Sequence, residues 1–555
     1  MPPTPSASLR LPSARRATRC LLDAGLLLAA MLLAGAASVL LLRQDVNFDL
    51  QNYHFYNAWA FVHGRLGWDL APAQLQTFHN PLLDLPFYWM VAADWPPRLI
   101  SFAMALPAGV GAFFLAKILL LLFRDLPGRQ RWGYPILAFA VGVTASGPVS
   151  LLGSTMNDWP GTALVMVALW LLLQRGERHN AHWPALAAAG CIVGIASGLK
   201  LTTATYAVGL CVALLAQPPI LARGLRDAVA FGVAAGAGLL LSSGAWMWTL
   251  YTHFGSPLFP YFNDIFRSPW WDATRLADPR FGPRTLLGWL TFPLPLLEFS
   301  SGYVTESFFR DWRLPLIYLA SIGALAAWFV RRVRRRTPPQ AVSADSTDKW
   351  RLVLVFWGAS FVVWALMHAV YRYIIPLELL SGAVLIYVLG LSVPRRWVPT
   401  ATAITAALAM LTVRYPDWGR IDYGEHYFVV TAPPVAPHSA ILLLSDQAMA
   451  FVLPYFPPDG RFLGADNSFN NPRYHNRLET EVARTVREHT GPLYSLAPSD
   501  GVVSAALSAH GLRRIPGGCA SIVSNMSAVP FELCLLDRIR SPGQTDGRTQ
   551  GGGAI

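Results

Sequence analysis

Two aspartates close the first long apolar run of the chain. In RQDVNFDLQNYHFYNAWAFVHGRLGW, residues 43–68, Asp45 and Asp49 follow LLDAGLLLAAMLLAGAASVLLL directly. Tyr53 stands at +4 from Asp49, Ala60 at +11 and Gly64 at +15, and HNPLLDLPFYW, His79 to Trp89, comes next. A carboxylate there can serve as general base for a hydroxyl nucleophile. The plain structural alternative is a pair of interfacial acids that end a helix. GSTMNDWPG supplies a second acid, Asp158, beside Asn157. It can bind a metal, position a hydroxyl, or cap the helix announced by the following Trp-Pro. Lys200, in GIASGLKLTTATY, is the one charged residue between Arg178 and Arg223. An ionisable group inside an apolar run is costly and marks a functional site by default. As a cation it can neutralise a phosphate, or its stem can simply snorkel to the interface. Arg372 and Tyr373, in HAVYRYIIPLE, offer a bidentate fork for phosphate or a pin from a turn to a carboxylate. GSPLFPYFNDIFRSPWWD, residues 255–272, suits either a cover over a ligand or a surface lying on lipid headgroups; Asp264, Asp272 and Glu298 take no role.

The elements that must hold these residues are membrane helices. Of 555 residues, 54% are hydrophobic and 14% charged, against about 25% charged in soluble proteins. Runs of some 20 apolar residues match the ~30 Å hydrocarbon core. The pattern predicts a mainly α, polytopic transmembrane bundle of eleven spans: 21–42, 99–123, 133–152, 159–173, 183–199, 201–217, 228–251, 313–330, 351–370, 374–392 and 397–413. The net charge of +12 reflects Arg-rich cytoplasmic loops rather than a nucleic-acid partner. Arg10, Arg15, Arg16 and Arg19, then Arg124, Arg129 and Arg131, Arg175 and Arg178, Arg223 and Arg226, RRVRRR (331–336) and PRR (394–396) all fall on one side under this assignment. Residues 1–20 are then cytoplasmic, and the loops 43–98 and 252–312 are external. Two short apolar segments, 80–93 and 285–299, carry prolines and read as interfacial or re-entrant. Residues 414–540 alternate strand-like patterns (AILLLS, RFLGAD, GPLYSLAP, FELCLLDRI) with helical ones (DQAMAFVLPYF, the charged amphipathic RLETEVARTVREH, GVVSAALSAHGL) and predict a soluble α/β domain outside the cytoplasm, and 541–555 reads as disordered. That compartment permits a disulfide between Cys519 and Cys534.

The first-loop pattern resembles that of the GT-C glycosyltransferases that use polyprenyl-phosphate donors, among them the protein O-mannosyltransferases and aminoarabinose transferases. These carry an Asp-Glu pair outside the first span, Tyr four positions on, Gly fifteen positions on, and a His/Lys-Pro-Pro-Leu helix. Here Leu50 replaces the Glu and Asn80-Pro81 the Pro-Pro. The resemblance covers residues 20–390 as a topology. It implies a catalytic domain over 21–413 and transfer of a sugar, with inversion, from a polyprenyl-phosphate donor to a glycan, lipid or protein acceptor. The reaction would take place at the outer face of a bacterial-type cytoplasmic membrane. Asp49 is then the expected base, with Asp45 and Asp158 as further catalytic acids. Tyr53, His79, Asn157, Lys200, Arg372 and Tyr373 are expected to bind substrate. The two external acids are compatible with a divalent metal or with none, and no other cofactor is expected. The rival classes are a polysaccharide polymerase or ligase acting on lipid-linked sugars, and a transporter. A transporter would carry mid-membrane ionisable groups and internal repeats; neither stands out here.

Overall fold

The structure, a computed structural model, describes residues 12–174, 182–274, 276, 280–334 and 344–539. Arg10, Arg175, Arg178, Arg335 and Arg336, which carry part of the expected orientation, lie outside the described residues, as does the tail 541–555. The chain divides into two compact units. One takes Met1–Asn47, Leu82–Thr249 and Leu276–Tyr427; the other takes Phe48–Pro81, Leu250–Arg275 and Phe428–Ile555. Pieces of both predicted external loops therefore fold with the C-terminal region, and 414–427 folds with the helices.

The first unit is helical. Among the described residues, seven helices are long and apolar enough to cross a membrane: Thr18–Leu41, Pro97–Leu122, His182–Leu199, Ala222–Phe254, Arg313–Val333, Ser346–Met367 and Tyr371–Ser392. Asp158–Gln174 and Leu201–Leu215 are apolar but shorter. Each of the eleven expected spans falls on helix, but two are weaker candidates. The third is broken into Gln130–Val143 and Ser146–Ser150, and the last, Val398–Thr412, has 15 residues. At 1.5 Å per residue that helix reaches only about 22 Å. The two ambiguous segments hold helices of eight residues, Leu85–Ala92, and six, Leu286–Thr291, both far too short to cross. The first helix begins at Pro12, ahead of the predicted span.

Ile375–Ser392 runs through the core of this unit, buried along most of its length. Small residues let neighbours approach its backbone: a Cβ on Gly142 would strike the backbone of Leu379, and one on Gly382 that of Ala138. Where the third span breaks, a charged network fills the gap. The Glu378 carboxylate accepts from Gly147 N at 3.2 Å and from Tyr371 OH at 2.8 Å. Asp311 accepts from Ser146 N and pairs with Arg313 at 2.7 Å, all but sealed from water. Two short strands, β1 (Gln44–Asp45) and β2 (Arg420–Ile421), pair antiparallel, which explains why 414–427 belongs here.

The second unit is a mixed sheet. It contains β3 (Val430–Thr431), β4 (Ala440–Leu444), β5 (Arg461–Asp466), β6 (Leu493–Pro498), β7 (Leu512–Ser524) and β8 (Phe531–Arg538), in the order β3-β7-β8-β6-β4-β5. β5, β4 and β6 are parallel and the rest antiparallel. The predicted amphipathic helix forms as Arg477–Glu488 and is capped by Asn476, whose side chain accepts from Glu479 N. DQAMAFVLPYF, expected to be helical, makes only a 3-10 turn, Ala450–Tyr455, with Pro454 inside it. The exposed edge of β5 is covered by the first loop: Leu70 N bonds to Phe462 O at 3.0 Å and Gly464 N to Leu70 O at 2.8 Å. Gly464 permits this approach, because a Cβ there would collide with Ala71 O.

GRLGWD clamps that loop in place. Arg65 meets Asp69 through two bonds of 2.5 and 2.7 Å, donates to the carbonyls of Pro458 and Gly460, and packs on the rings of Trp59 and Phe462. Asp69 also accepts from Tyr56 OH and Phe462 N. Burial pushes the Asp69 carboxyl above its ordinary range, against the pull of Arg65.

Candidate active site

Most of the expected site residues of the helical unit gather at the turn 153–158. Asn157 takes φ +59, a left-handed conformation that Asn tolerates better than most residues, and turns the chain into the helix Asp158–Gln174. Asp158 therefore sits in a first turn, where the helix dipole favours an anion. Lys200 follows the last residue of His182–Leu199, at the end of a helix that favours a cation. The two side chains meet: Lys200 Nζ lies 2.5 Å from Asp158 Oδ1 and donates to Met156 O at 2.6 Å. Their side chains are only 15% and 6% exposed, so the pair is largely desolvated. Asp158 Oδ2 is buried without a hydrogen-bond partner among the described residues.

Tyr373 completes this group. Its ring lies 5.3 Å from Lys200 Nζ and 5.2 Å from the Arg372 guanidinium. Arg372 also donates to the Tyr373 hydroxyl at 3.3 Å, and Tyr206 OH donates to Tyr373 O. Asn157 Nδ2 donates to Asp84 Oδ1 at 2.5 Å. Asp84 had no assigned role; its one signal was an acid inside a short apolar segment. Asp45 is fully buried, and its Oδ2 accepts from Thr155 N, Thr155 Oγ1 and Asn47 Nδ2 at 2.7–2.8 Å. That geometry makes Asp45 the residue that fixes the 153–158 turn. Nothing in the sequence pointed to Thr155.

Asp49, Tyr53 and His79 lie in the other unit. Asp49 opens a π-helical turn, Leu50–His54, and Tyr53 OH donates to Asp49 Oδ2 at 3.3 Å. Gly64, at φ +63, follows the end of the helix Phe55–Val62. Leu50, where the resembling family carries its second acid, is fully buried in the core. The His79 ring meets Tyr53 edge-on at 5.1 Å, and its Nε2 lies 2.9 Å from Tyr261 OH. Tyr261 comes from the aromatic loop whose role the sequence left open.

Cys519 and Cys534 are joined in a disulfide across the β7–β8 pairing. With Glu532 they form the one group of three close candidate metal ligands among the described residues, and the disulfide engages both sulfurs. No protein-family model matches the chain, and no curated protein matches it.

Proposed function

We propose that the protein is a membrane glycosyltransferase of the GT-C type that takes its sugar from a polyprenyl-phosphate donor. The observation that carries this reading is the Lys200–Asp158 pair, backed by the ring of Tyr373 and the guanidinium of Arg372. It sets one cation on a carboxylate whose second oxygen has no hydrogen-bond partner among the described residues, with a second cation on the same tyrosine ring. That combination suits a phosphate carried at headgroup depth next to sugar hydroxyls. Lys200 and Arg372 hold the donor phosphate and stabilise the negative charge that grows on it, while Asp158 Oδ2 accepts from a sugar hydroxyl.

The acceptor oxygen attacks the anomeric carbon, the carbon–oxygen bond to phosphate breaks with its electron pair leaving on polyprenyl phosphate, and the hydroxyl proton passes to a carboxylate, the role that the family resemblance gives Asp49. Tyr53 OH holds one oxygen of that carboxylate in place. A direct displacement inverts the anomeric centre.

The test is to incubate purified protein with a polyprenyl-phosphate sugar and a panel of glycan, lipid and peptide acceptors, with no nucleotide sugar. Release of polyprenyl phosphate with one sugar added per acceptor supports the reading. Growing glycan chains would identify a polymerase. Movement of substrate across vesicles without bond cleavage would identify a transporter.

A further inference from the structure

The loop after the helix Leu225–Phe254 holds a tip that the active-site reading does not use. Asn263 is fully buried, and its side chain donates to the carbonyls of Ser268, Trp271 and Asp272 at 2.8–3.1 Å and accepts from Ser268 N at 2.8 Å. Around this knot the rings turn inward: Phe259 and Trp271 are buried, Trp271 stacks on Phe469 at 4.1 Å, and Phe254 stacks on Phe259 at 4.7 Å. Two side chains turn the other way. Ile265 is 68% exposed and Phe266 38%, with Asp264 and Arg267 exposed beside them. Phe262 and Arg267, which flank the tip, take φ +55 and +52. Bulky residues hold that conformation only where the surroundings over-determine it, so the tip is built rather than loose.

The tip stands close to the end of an apolar helix. Ser268 Oγ donates to Phe254 O, and Ile265 is three residues from Ser268. At about 3.5 Å per residue it lies within roughly 10 Å of that bonded point. The last turns of the same helix expose Trp248 and Tyr251, the residue types that mark a membrane–water boundary. We propose that residues 264–267 are a membrane anchor: Ile265 and Phe266 enter the boundary between headgroups and acyl chains, and Arg267 rests on lipid phosphate. The occupant is the bilayer that the helix itself enters. An apolar pair flanked by a cation suits that boundary.

The test uses full-length protein with the exposed thiol removed by Cys20→Ser. An environment-sensitive fluorophore goes on Ile265→Cys or Phe266→Cys, and as a control on Val502→Cys, at 91% the most exposed aliphatic position among the described residues of the same unit. The proteins are reconstituted in phosphatidylethanolamine–phosphatidylglycerol vesicles. The inference predicts emission shifted to the blue of the Val502 probe, quenching by a lipid with a nitroxide high on its acyl chain, and protection from iodide. Quenching by iodide equal to that at the control overturns it. Protection from both quenchers also overturns it, because that result means protein covers the tip. None of these outcomes depends on whether the protein transfers sugar.

Discussion

Lys200 and Asp158 stand 42 residues apart in sequence and 2.5 Å apart in space, and this pairing changes what a mutation at either would report. Removing one partner of a buried pair leaves an uncompensated charge, at a cost of about 3–5 kcal/mol. Lys200→Met and Asp158→Asn should each lower the unfolding midpoint in detergent. The double variant should recover most of that loss, because no buried charge is then left without its partner. Transfer should stay depressed in Lys200→Met and in the double variant, on the order of 10²-fold for loss of a preorganised cation. Lys200→Arg should restore only part of it, since the guanidinium is wider and aims its donors differently. A double variant that turns over like wild type would reduce Lys200 to a structural role and leave Arg372 as the phosphate ligand. At this scale the sequence was readable where chemistry is local: the +4 spacing of Asp49 and Tyr53 became a hydrogen bond. It was silent on Lys200–Asp158, on Asn157–Asp84 and on Asp45–Thr155, because tertiary packing alone brings those partners together.

Strands and helices with a clean period were legible. AILLL, RFLGAD, LYSLAP and FELCLLDR form β4, β5, β6 and β8, and the charged amphipathic stretch forms Arg477–Glu488. β7 was missed because Pro516, Gly517 and Gly518 interrupt its pattern, and its pairing with β8 shifts register between Arg514 and Cys519. The docking of the first loop on β5 was also invisible, since GRLGWD reads as polar and exposed. Two predictions belong here. Arg65→Met should strand the buried Asp69 carboxylate and destabilise the sheet unit by about 3–5 kcal/mol, read as faster proteolysis between residues 428 and 539. The second concerns pH. Burial raises the Glu479 carboxyl from 4.5 to about 7, so the folded state keeps its proton where the unfolded chain has lost it. Stability should therefore fall as pH rises from about 4.5 through about 7, and change little on either side of that window. Thermal unfolding across pH 5 to 8, compared with Glu479→Gln, checks the sign: the variant should flatten the slope.

For the whole molecule, composition predicts a membrane protein with a separate C-terminal α/β region, and among the described residues seven helices are long and apolar enough to cross. The count of eleven depended on apolar segments whose helices are short or broken, a difference that hydropathy along a sequence does not resolve. The partition was harder still: three stretches distant in the chain build the sheet unit, and only non-local strand pairing reveals it. The proposed orientation predicts that alkaline phosphatase fused at Asp417 is active and at Arg334 inactive; the reverse pattern would put the candidate base on the wrong side. If this chain moves a sugar from a lipid phosphate with an aspartate as base, replacing that aspartate must stop the transfer. Purified wild type and Asp49→Asn are given the same saturating polyprenyl-phosphate sugar and acceptor, without nucleotide sugar, and the rate of glycosylated product is compared. The amide matches the carboxylate in shape but cannot take the proton, so wild type should give product and the variant should lose about 10²–10⁴-fold. No product from wild type, or a variant that keeps more than about half of the wild-type rate against that predicted loss, would contradict this mechanism.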